Sequence, residues 1–553
     1  MDEQMLTSSC RYRVMASVGL LSAICAVVAL FPAEAAFSNE DQERAELGPG
    51  CAPDRPAIAH HAAGLVVNDA RGPAPIPCVT STGWRTYEIG FIVTNNGDLV
   101  LQPTFLAAGM PIGAIHSSDQ GATWEFLQPS NPQDPLRASG FDQNMGVDRL
   151  TGRVFWLAPG YKSAVVPQET SRLDASDDNG AKFFRASIAP LGNPDPIAGQ
   201  VSRDHGQVFA GPAPRSLRNE MKTYPNVVYV CQSNAPQLCG RSLDGGKTFS
   251  PPVGIPLPPE CDGPSPPLPE TVPYNTNFGL RGVVDEEGNV YVPNTPCEIP
   301  YIAVSNDGAS TWKLVRVADT QVIGFGMLSL DIDSAQNLYA VWSDVSDRLP
   351  RLSISRDRGA HWSSPLLVGA PGVNESALPS VVAGELGHVA VTYYGSTNSP
   401  GPPFPAPCTG VATSCPAYAN ETWNTYITET WTALKQDPVF WSAPINNPAQ
   451  PTWYGCSPSE LGIVRLEDDF KSPPGSTTTA GCIVTANYST SQGGGRIDYY
   501  GLSMAVDGTP WVGFVQACPN GQRVPGNPNC DQAAGGPNDA LFGLVGRLVR
   551  VKE

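Results

Sequence analysis

Ser117-Ser118-Asp119-Gln120-Gly121-Ala122-Thr123-Trp124 is the stretch that decides the fold, because its pattern, S-x-D-x-G-x-T-W, returns along the chain. In this pattern the Asp carboxylate can accept backbone N–H groups across a tight turn, and the Gly supplies a positive φ. Five copies at spacings of roughly 50–66 residues predict a repeat array, in which these Asp residues are folding devices and not catalysts. A second clean copy occupies residues 242–249, and degenerate copies occupy residues 176–183, 305–312 and 355–362.

A second repeat precedes these turns. It consists of a polar or acidic residue, an apolar strand, a turn and another strand, and it occurs seven times. The low charged fraction of 16%, with 55 Gly and 56 Pro, is typical of an all-β chain with many turns. The sixth unit carries a long insertion at about residues 400–495, rich in Pro, Gly, Ser, Thr and Cys. The seven units begin near Glu88, Asp142, Asp204, Asn277, Phe325, Glu375 and Asp498.

With these repeats the chain resembles the Asp-box, or BNR-repeat, β-propellers, which include bacterial sialidases, seven-bladed glucan hydrolases and sortilin-type receptors. It is most similar to the secreted bacterial proteins described as sialidase-like, from about Gly83 to the C-terminus. The resemblance implies an all-β propeller. The seven units predict seven blades, with six as the alternative because the insertion in the penultimate blade hides unit boundaries.

The resemblance does not settle activity, because enzymes and receptors share this motif. Sialidases carry an Arg-Ile-Pro motif in the first strand, and its Arg binds the substrate carboxylate. The matching stretch here, Tyr87-Glu88-Ile89-Gly90, has neither Arg nor Pro. We therefore expect little cleavage of ordinary sialosides, and both a glycoside hydrolase and a non-catalytic scaffold that binds a glycan or protein stay open.

The N-terminus has the organisation of a signal peptide. Arg11 and Arg13 precede an apolar stretch, and Ala33-Glu34-Ala35 is a small-x-small cleavage pattern. We expect residues 1–35 to be removed, leaving a secreted protein, extracellular or periplasmic, with no membrane span. Residues 36–82 then form an N-terminal segment and residues 83–553 the propeller. A strand near residues 63–67 is expected to close the ring in the seventh blade, removing an open sheet edge.

The cysteines predict a disulfide framework. The chain has 14, and without Cys10 and Cys25 of the signal segment 12 remain. In an oxidising compartment, pairing between sequence neighbours is the simplest hypothesis. The expected pairs are Cys51–Cys78, Cys231–Cys239, Cys261–Cys297, Cys408–Cys415, Cys456–Cys482 and Cys518–Cys530.

The net charge is −18, without a basic cluster that could hold nucleic acid. The expected partner is a glycan or cell-surface polymer, bound by a monomer. No cofactor motif is present, so none is expected to be required, and structural calcium on carboxylates is the one metal that the sequence leaves open.

The strand starts indicate where a site would lie, because residues at the starts of innermost propeller strands converge on one face of the central channel. Three interpretations stay open: a carboxylate pair for glycoside cleavage, an Arg cluster that grips an acidic sugar with Tyr499 or Tyr500 as nucleophile, and purely structural acids. His205 is either a general base or a hydrogen-bonded structural residue. The catalytic candidates are Glu88, Asp142, Asp204, His205, Glu375, Asp498 and Tyr499, and the substrate-binding candidates are Arg85, Arg281, Arg496 and Tyr500.

Overall fold

The computed structural model is a seven-bladed β-propeller, as the seven repeat units predict. Apart from three short 3₁₀ turns, the regular structure of the described residues is β-strand. No helix among them is long and apolar enough to cross a lipid bilayer. The structure describes residues 47–68, 70, 72–86, 89–103, 113–127, 144–161, 170–188, 206–221, 223–232, 237–261, 281–322, 327–399, 401, 421–454, 501–517 and 541–550.

Two N-terminal strands precede the first blade, β1 (Ile58–His60) and β2 (Ile76–Arg85). Each of the first five blades is a four-stranded antiparallel sheet with its strands in chain order. Blade 1 holds β3 (Ile89–Val93), β4 (Leu99–Pro103), β5 (Ala114–Ser117) and β6 (Glu125–Leu127); blade 2 holds β7 (Asn144–Val147), β8 (Val154–Tyr161), β9 (Thr170–Ser176) and β10 (Phe184–Ile188); blade 3 holds β11 (Gln207–Gly211), β12 (Val227–Gln232), β13 (Leu238–Ser242) and β14 (Val253–Gly254); blade 4 holds β15 (Val283–Val284), β16 (Val290–Asn294), β17 (Tyr301–Ser305) and β18 (Lys313–Arg316); blade 5 holds β19 (Ser329–Ile332), β20 (Leu338–Ser343), β21 (Pro350–Ser355) and β22 (Leu366–Leu367).

The last two blades are completed by the N-terminal strands. Blade 6 is a six-stranded sheet in which β1 pairs with β26, and in blade 7 the outermost strand is β2, paired with β30. Blade 6 holds β23 (Glu375–Ala383), β24 (Val389–Ser396), β25 (Thr422–Thr430), β26 (Phe440–Pro444) and β27 (Trp453–Tyr454), and blade 7 holds β28 (Gly501–Met504), β29 (Pro510–Ala517) and β30 (Leu541–Val549).

Two sequence expectations need correction here. The N-terminal strand that closes the ring is β2 and not residues 63–67, because residues 62–64 form a 3₁₀ turn that packs against β22 of blade 5. Within the stretch expected to be an insertion, β25 and β26 are strands of the blade itself. Residues 402–420 and 455–495 of that stretch lie outside the described residues, so there the insertion remains a prediction.

The S-x-D-x-G-x-T-W turns have the hydrogen bonds that their pattern predicts. In the first copy the Asp119 carboxylate accepts the backbone N–H of Thr123 at 2.9 Å and its hydroxyl at 2.6 Å. The Ser117 hydroxyl donates to Asp119 and accepts the N–H of Gly121, which has a φ of 83°. The other four Asp residues likewise accept an N–H from four residues ahead. These carboxylates are therefore engaged in turn formation.

The core lies between neighbouring blades. Apolar side chains on facing sheets interdigitate, so burying each sheet requires the next one in the ring. Between blades 1 and 2, for example, Val100 packs with Trp156 and Phe183, all of them buried. Phe183 is the aromatic residue of the second S-x-D turn, so the repeat motif also contributes to the contact between blades.

Three of the six expected disulfides join described residues, and all three are present: Cys51–Cys78, Cys231–Cys239 and Cys261–Cys297. The first ties the N-terminal segment to the ring-closing strand. The cysteines of the other three expected pairs, Cys408–Cys415, Cys456–Cys482 and Cys518–Cys530, lie outside the described residues, and those pairs remain predictions.

Candidate functional site

Blade 6 brings a pair of carboxyl groups together on the face where the innermost strands begin. Glu375 is the first residue of the innermost strand β23 and pairs with Ser396 at the end of β24. Because adjacent strands are antiparallel, the connection from β24 to β25 returns to this same face. That connection starts after Ser396 and ends at Glu421, which directly precedes β25. Two acidic residues far apart in sequence thus lie in one corner of the sheet.

The Glu375 carboxylate is held from both sides. Nη1 of Arg348, from the β20–β21 connection of blade 5, donates to Oε1 at 2.8 Å, and the Ser399 hydroxyl donates to Oε2. Arg348 is fixed in turn, because its carbonyl oxygen accepts the N–H of Ser376 at 2.7 Å and the Ser376 hydroxyl at 2.8 Å. Glu375 is only 1% exposed, so its negative charge is paired within the protein.

The Glu421 carboxyl, in contrast to that of Glu375, has no ion pair among the described residues and is poorly hydrogen-bonded. Glu421 is 2% exposed, and neither of its carboxyl oxygens has a well-formed hydrogen bond within the part of the chain that the structure describes, because the nearby Ser399 hydroxyl donates to Glu375. Burial raises the pKa of Glu421 to about 8, and the negative charge of Glu375 adds to the rise, while Ser399 and Arg348 oppose it. At neutral pH the Glu421 carboxyl therefore holds a proton, and it lies beside the ion pair of Glu375 with Arg348.

A protonated carboxyl beside an ion-paired glutamate is an arrangement that acid–base catalysis can use. A neutral carboxyl can donate a proton, a neighbouring carboxylate can accept one or act as a nucleophile, and a strongly raised carboxyl pKa is typical of active sites. A buried acid without well-formed hydrogen bonds is also destabilising, so its presence calls for an explanation beyond packing.

The other sequence candidates are distributed differently. Arg281 lies just before β15 in blade 4, where its Nη1 is 3.4 Å from Oδ2 of Asp331. Arg85 ends β2, the outermost strand of blade 7, and pairs with Phe542, so its backbone is not at a channel-facing strand start as expected. Arg281 does not join the Glu375 cluster. The remaining candidates, Glu88, Asp142, Asp204, His205, Arg496, Asp498, Tyr499 and Tyr500, lie outside the described residues.

Sequence reasoning missed Glu421, Arg348 and Ser399. Glu421 was assigned to an insertion, although it precedes the alternating stretch Thr422–Thr430 that forms β25. Recognising that stretch as a blade strand would have placed the acid at a strand start, as was done for Glu375.

No group of three or more His, Cys, Asp or Glu side chains that could hold a metal ion occurs among the described residues. Most of the strand-start acids considered for calcium lie outside those residues, so structural calcium remains a prediction.

No protein-family model matches the chain, and no curated protein matches it. Solved structures with a similar arrangement include a Hadza microbial sialidase, 16% identical, covering 60% of this chain and 72% of that one, with a TM-score of 0.36. The intramolecular trans-sialidase from Ruminococcus gnavus is 12% identical over 85% of this chain and 97% of that one, with a TM-score of 0.35. The Aleuria aurantia lectin is 10% identical over 67% and 99%, with a TM-score of 0.37. At scores and identities this low, the likenesses carry no argument about what the chain binds or does.

Proposed function

We propose that this chain is a secreted propeller that cleaves a complex glycan, with Glu421 as general acid and Glu375 as its carboxylate partner. The observation that carries the proposal is the proton held by Glu421 next to the charged, ion-paired Glu375. Glycoside hydrolysis uses a carboxylic acid and a carboxylate on either side of the bond that breaks. The disulfides among the described residues and the N-terminal signal pattern support export.

In the proposed reaction, Glu421 donates its proton to the glycosidic oxygen as the bond from that oxygen to the anomeric carbon breaks. The Glu375 carboxylate either accepts a proton from the attacking water or attacks the anomeric carbon itself. Arg348 does not touch the sugar and acts as a positioning residue, because its guanidinium holds the Glu375 carboxylate in place.

A specific observation favours a second candidate function, a glycan-binding propeller without catalysis. Glu375 and Glu421 are 1% and 2% exposed, so a sugar reaches them only if residues that cover them move aside. In a binding protein the pair would instead connect blades 5 and 6, and exposed side chains on the same face would contact the glycan.

Hydrolysis and binding can be separated with one set of variants. The experiment measures reducing-sugar release from a panel of neutral and acidic polysaccharides, and binding to the same polysaccharides, for the wild type, Glu421→Gln and Glu375→Gln. Glu385→Gln is the control, since this exposed acid lies in the β23–β24 turn at the other end of the sheet.

The hydrolase proposal predicts that both site variants lose at least 100-fold in kcat, a typical general acid–base contribution, while the control keeps the wild-type rate. Wild-type activity should also fall as pH rises above about 8, where Glu421 loses its proton. Wild-type binding without release of sugar from any polysaccharide, unchanged in both variants, would overturn the hydrolase proposal in favour of the binding function.

A further inference from the structure

Two arginines and one aspartate lie in or beside the innermost strands and bring charged groups to the end of the channel away from Glu375, because Arg149 follows its strand and the Arg281 guanidinium contacts Asp331 near the end of β19. Arg149 follows β7 in blade 2, Arg281 precedes β15 in blade 4, and Asp331 lies in β19 of blade 5. Arg149 keeps solvent-accessible surface although it is largely surrounded by protein, and the Arg281 side chain is 30% exposed. Solvent therefore reaches both side chains.

Three hydrogen bonds fix the Arg149 guanidinium. Nη1 donates to the carbonyl oxygen of Val93 at 3.0 Å and to Oδ1 of Asn95 at 3.2 Å, and Nη2 donates to the carbonyl oxygen of Met504 at 2.8 Å. Val93 and Met504 end the innermost strands of blades 1 and 7, so this one side chain bridges three blades. Its Nε–H and one N–H of Nη2 have no partner among the described residues, and an arginine in this state is a rigid donor for an anion.

Arg281 is only loosely paired. Its one hydrogen bond among the described residues is the 3.4 Å contact with Oδ2 of Asp331. That oxygen already accepts the N–H of Ala383 at 3.0 Å, and Oδ1 accepts the N–H of Ile332 at 2.9 Å. The backbone amides thus satisfy much of the hydrogen-bonding capacity of Asp331, and most of the Arg281 donors stay free.

Contacts through blades 7, 6 and 5 connect the two guanidinium groups. Arg149 donates to the carbonyl oxygen of Met504 in blade 7, and a Cβ at Gly384, at the end of β23 in blade 6, would lie 3.5 Å from Cγ of Met504. The neighbouring Ala383 donates its N–H to the Asp331 carboxylate that Arg281 contacts. Burial lowers the pKa of Arg149 to about 10, and the like charge of Arg281 adds to this, while Asp331 opposes it. Two positive charges thus face one negative charge at this point of a chain whose net charge is −18.

We propose that this end of the channel binds an oxyanion, the carboxylate or sulfate group of a ligand, between the free N–H donors of Arg149 and Arg281. The geometry suits such a group, because planar guanidinium groups donate paired hydrogen bonds to carboxylate and sulfate oxygens. An anion here also offsets the repulsion between the two cations. The site is separate from the Glu375–Glu421 pair and does not depend on its function.

Isothermal titration calorimetry on the full chain, at constant ionic strength adjusted with chloride, tests the proposal. The probes are inorganic sulfate, glucuronate and neutral glucose. We expect sulfate and glucuronate to bind and glucose not to bind. Tighter binding of glucuronate than of sulfate would identify an acidic sugar as the ligand, and the reverse order would identify a free anion; either order supports an oxyanion site.

Two substitutions with opposite expected effects distinguish binding from a loss of folding. Arg281→Gln should weaken sulfate binding at least tenfold, whereas Asp331→Asn should strengthen it severalfold by removing the only competing carboxylate among these three groups. Arg358→Gln is the control, because Arg358 is an exposed arginine that pairs with Glu287 on the turn side of blades 4 and 5. Affinities that are the same in wild type, Arg281→Gln and Asp331→Asn, or an absence of sulfate and glucuronate binding in the wild type, would overturn the proposal.

Discussion

Replacing Glu421 by glutamine should stabilise the protein at neutral pH, by an amount that grows as pH rises. Glutamine has nearly the same shape as a protonated glutamate but has no proton to lose at any of these pH values. In the folded chain burial raises the pKa of Glu421 to about 8, and in the unfolded chain the carboxyl returns to its ordinary value of 4.5. Folding is therefore linked to proton binding at this residue.

The direction of the effect follows from that linkage. Between about pH 4.5 and about pH 8 the folded state holds a proton that the unfolded state has released, so raising the pH favours unfolding. The contribution of the protonated Glu421 to the stability of the wild type is therefore complete below pH 4.5, and it is lost as pH rises to about 8. Each pH unit lowers the free energy of unfolding by about 1.4 kcal/mol, which gives a loss on the order of 5 kcal/mol across the window. A loss of that size is comparable to the whole stability of many proteins.

The assay is urea unfolding, followed by tryptophan fluorescence, of wild type and E421Q across this pH range. Glu429, whose pKa burial raises to about 7, affects both proteins alike, so the difference between the two curves isolates Glu421. Glu385→Gln, which removes one exposed charge from the same blade, should keep the wild-type slope. Parallel curves for wild type and E421Q would refute the reasoning, because they would mean that Glu421 is charged in the folded protein.

Two further predictions concern the fold. Gly180→Ala should lower the free energy of unfolding by about 1–3 kcal/mol more than Gly97→Ala, measured by urea unfolding. Both glycines have a φ near 90°, but a Cβ at Gly180 would lie 2.3 Å from Cγ2 of the buried Val100, whereas at Gly97 it would meet nothing; equal losses would contradict the steric argument. Deleting residues 1–85, which removes β1 and β2 and opens blade 7, should lower the thermal midpoint by several degrees more than deleting residues 1–68, which removes β1 and the Cys51–Cys78 disulfide but keeps β2; equal midpoints would show that β2 does not close the ring.

The repeat pattern was sufficient to predict the fold because each S-x-D turn is a local structure. The hydrogen bonds of Asp119 involve residues no more than four positions away, so eight residues of sequence contain the whole motif. A turn of this kind can be predicted without knowledge of distant contacts. The turn forms even in the copy with a displaced glycine, where Ala309 adopts a φ of 66° at the position usually occupied by Gly.

The sequence predicts that an N-terminal strand closes the ring, but it does not predict which strand does so. The strand missing from the seventh unit implies that an N-terminal strand fills the last blade, but which strand fits depends on pairing with β30, more than 450 residues away. Residues 63–67 and residues 76–85 are both apolar enough to serve. The choice is made by tertiary contacts, among them the Cys51–Cys78 disulfide.

The candidate site was predictable only in part for the same reason. Glu375 belongs to the repeat, so its position at the start of an innermost strand could be inferred. Glu421 and Arg348 reach it from two different connections between strands, 46 residues after it and 27 residues before it. Their proximity depends on how blades 5 and 6 pack, and the local sequence around each of them does not encode that.

Blade 6 contains two buried acids whose pKa values burial raises, Glu421 and Glu429, and its sheet has two strands more than those of the other blades. An acid without well-formed hydrogen bonds, Glu421, destabilises the fold when it is buried, and such conflicts are tolerated at functional sites if the surroundings compensate. The compensation here includes β1, which adds a further strand to this blade. His60 of β1 donates through Nδ1 to the His61 carbonyl oxygen at 2.9 Å, so its Nε2 accepts the Ser442 hydroxyl of β26 at 2.7 Å. Burial lowers the pKa of His60, which keeps Nε2 free to accept this bond at neutral pH. The N-terminal strand β1 thus extends and cross-links the sheet that carries the Glu375–Glu421 pair.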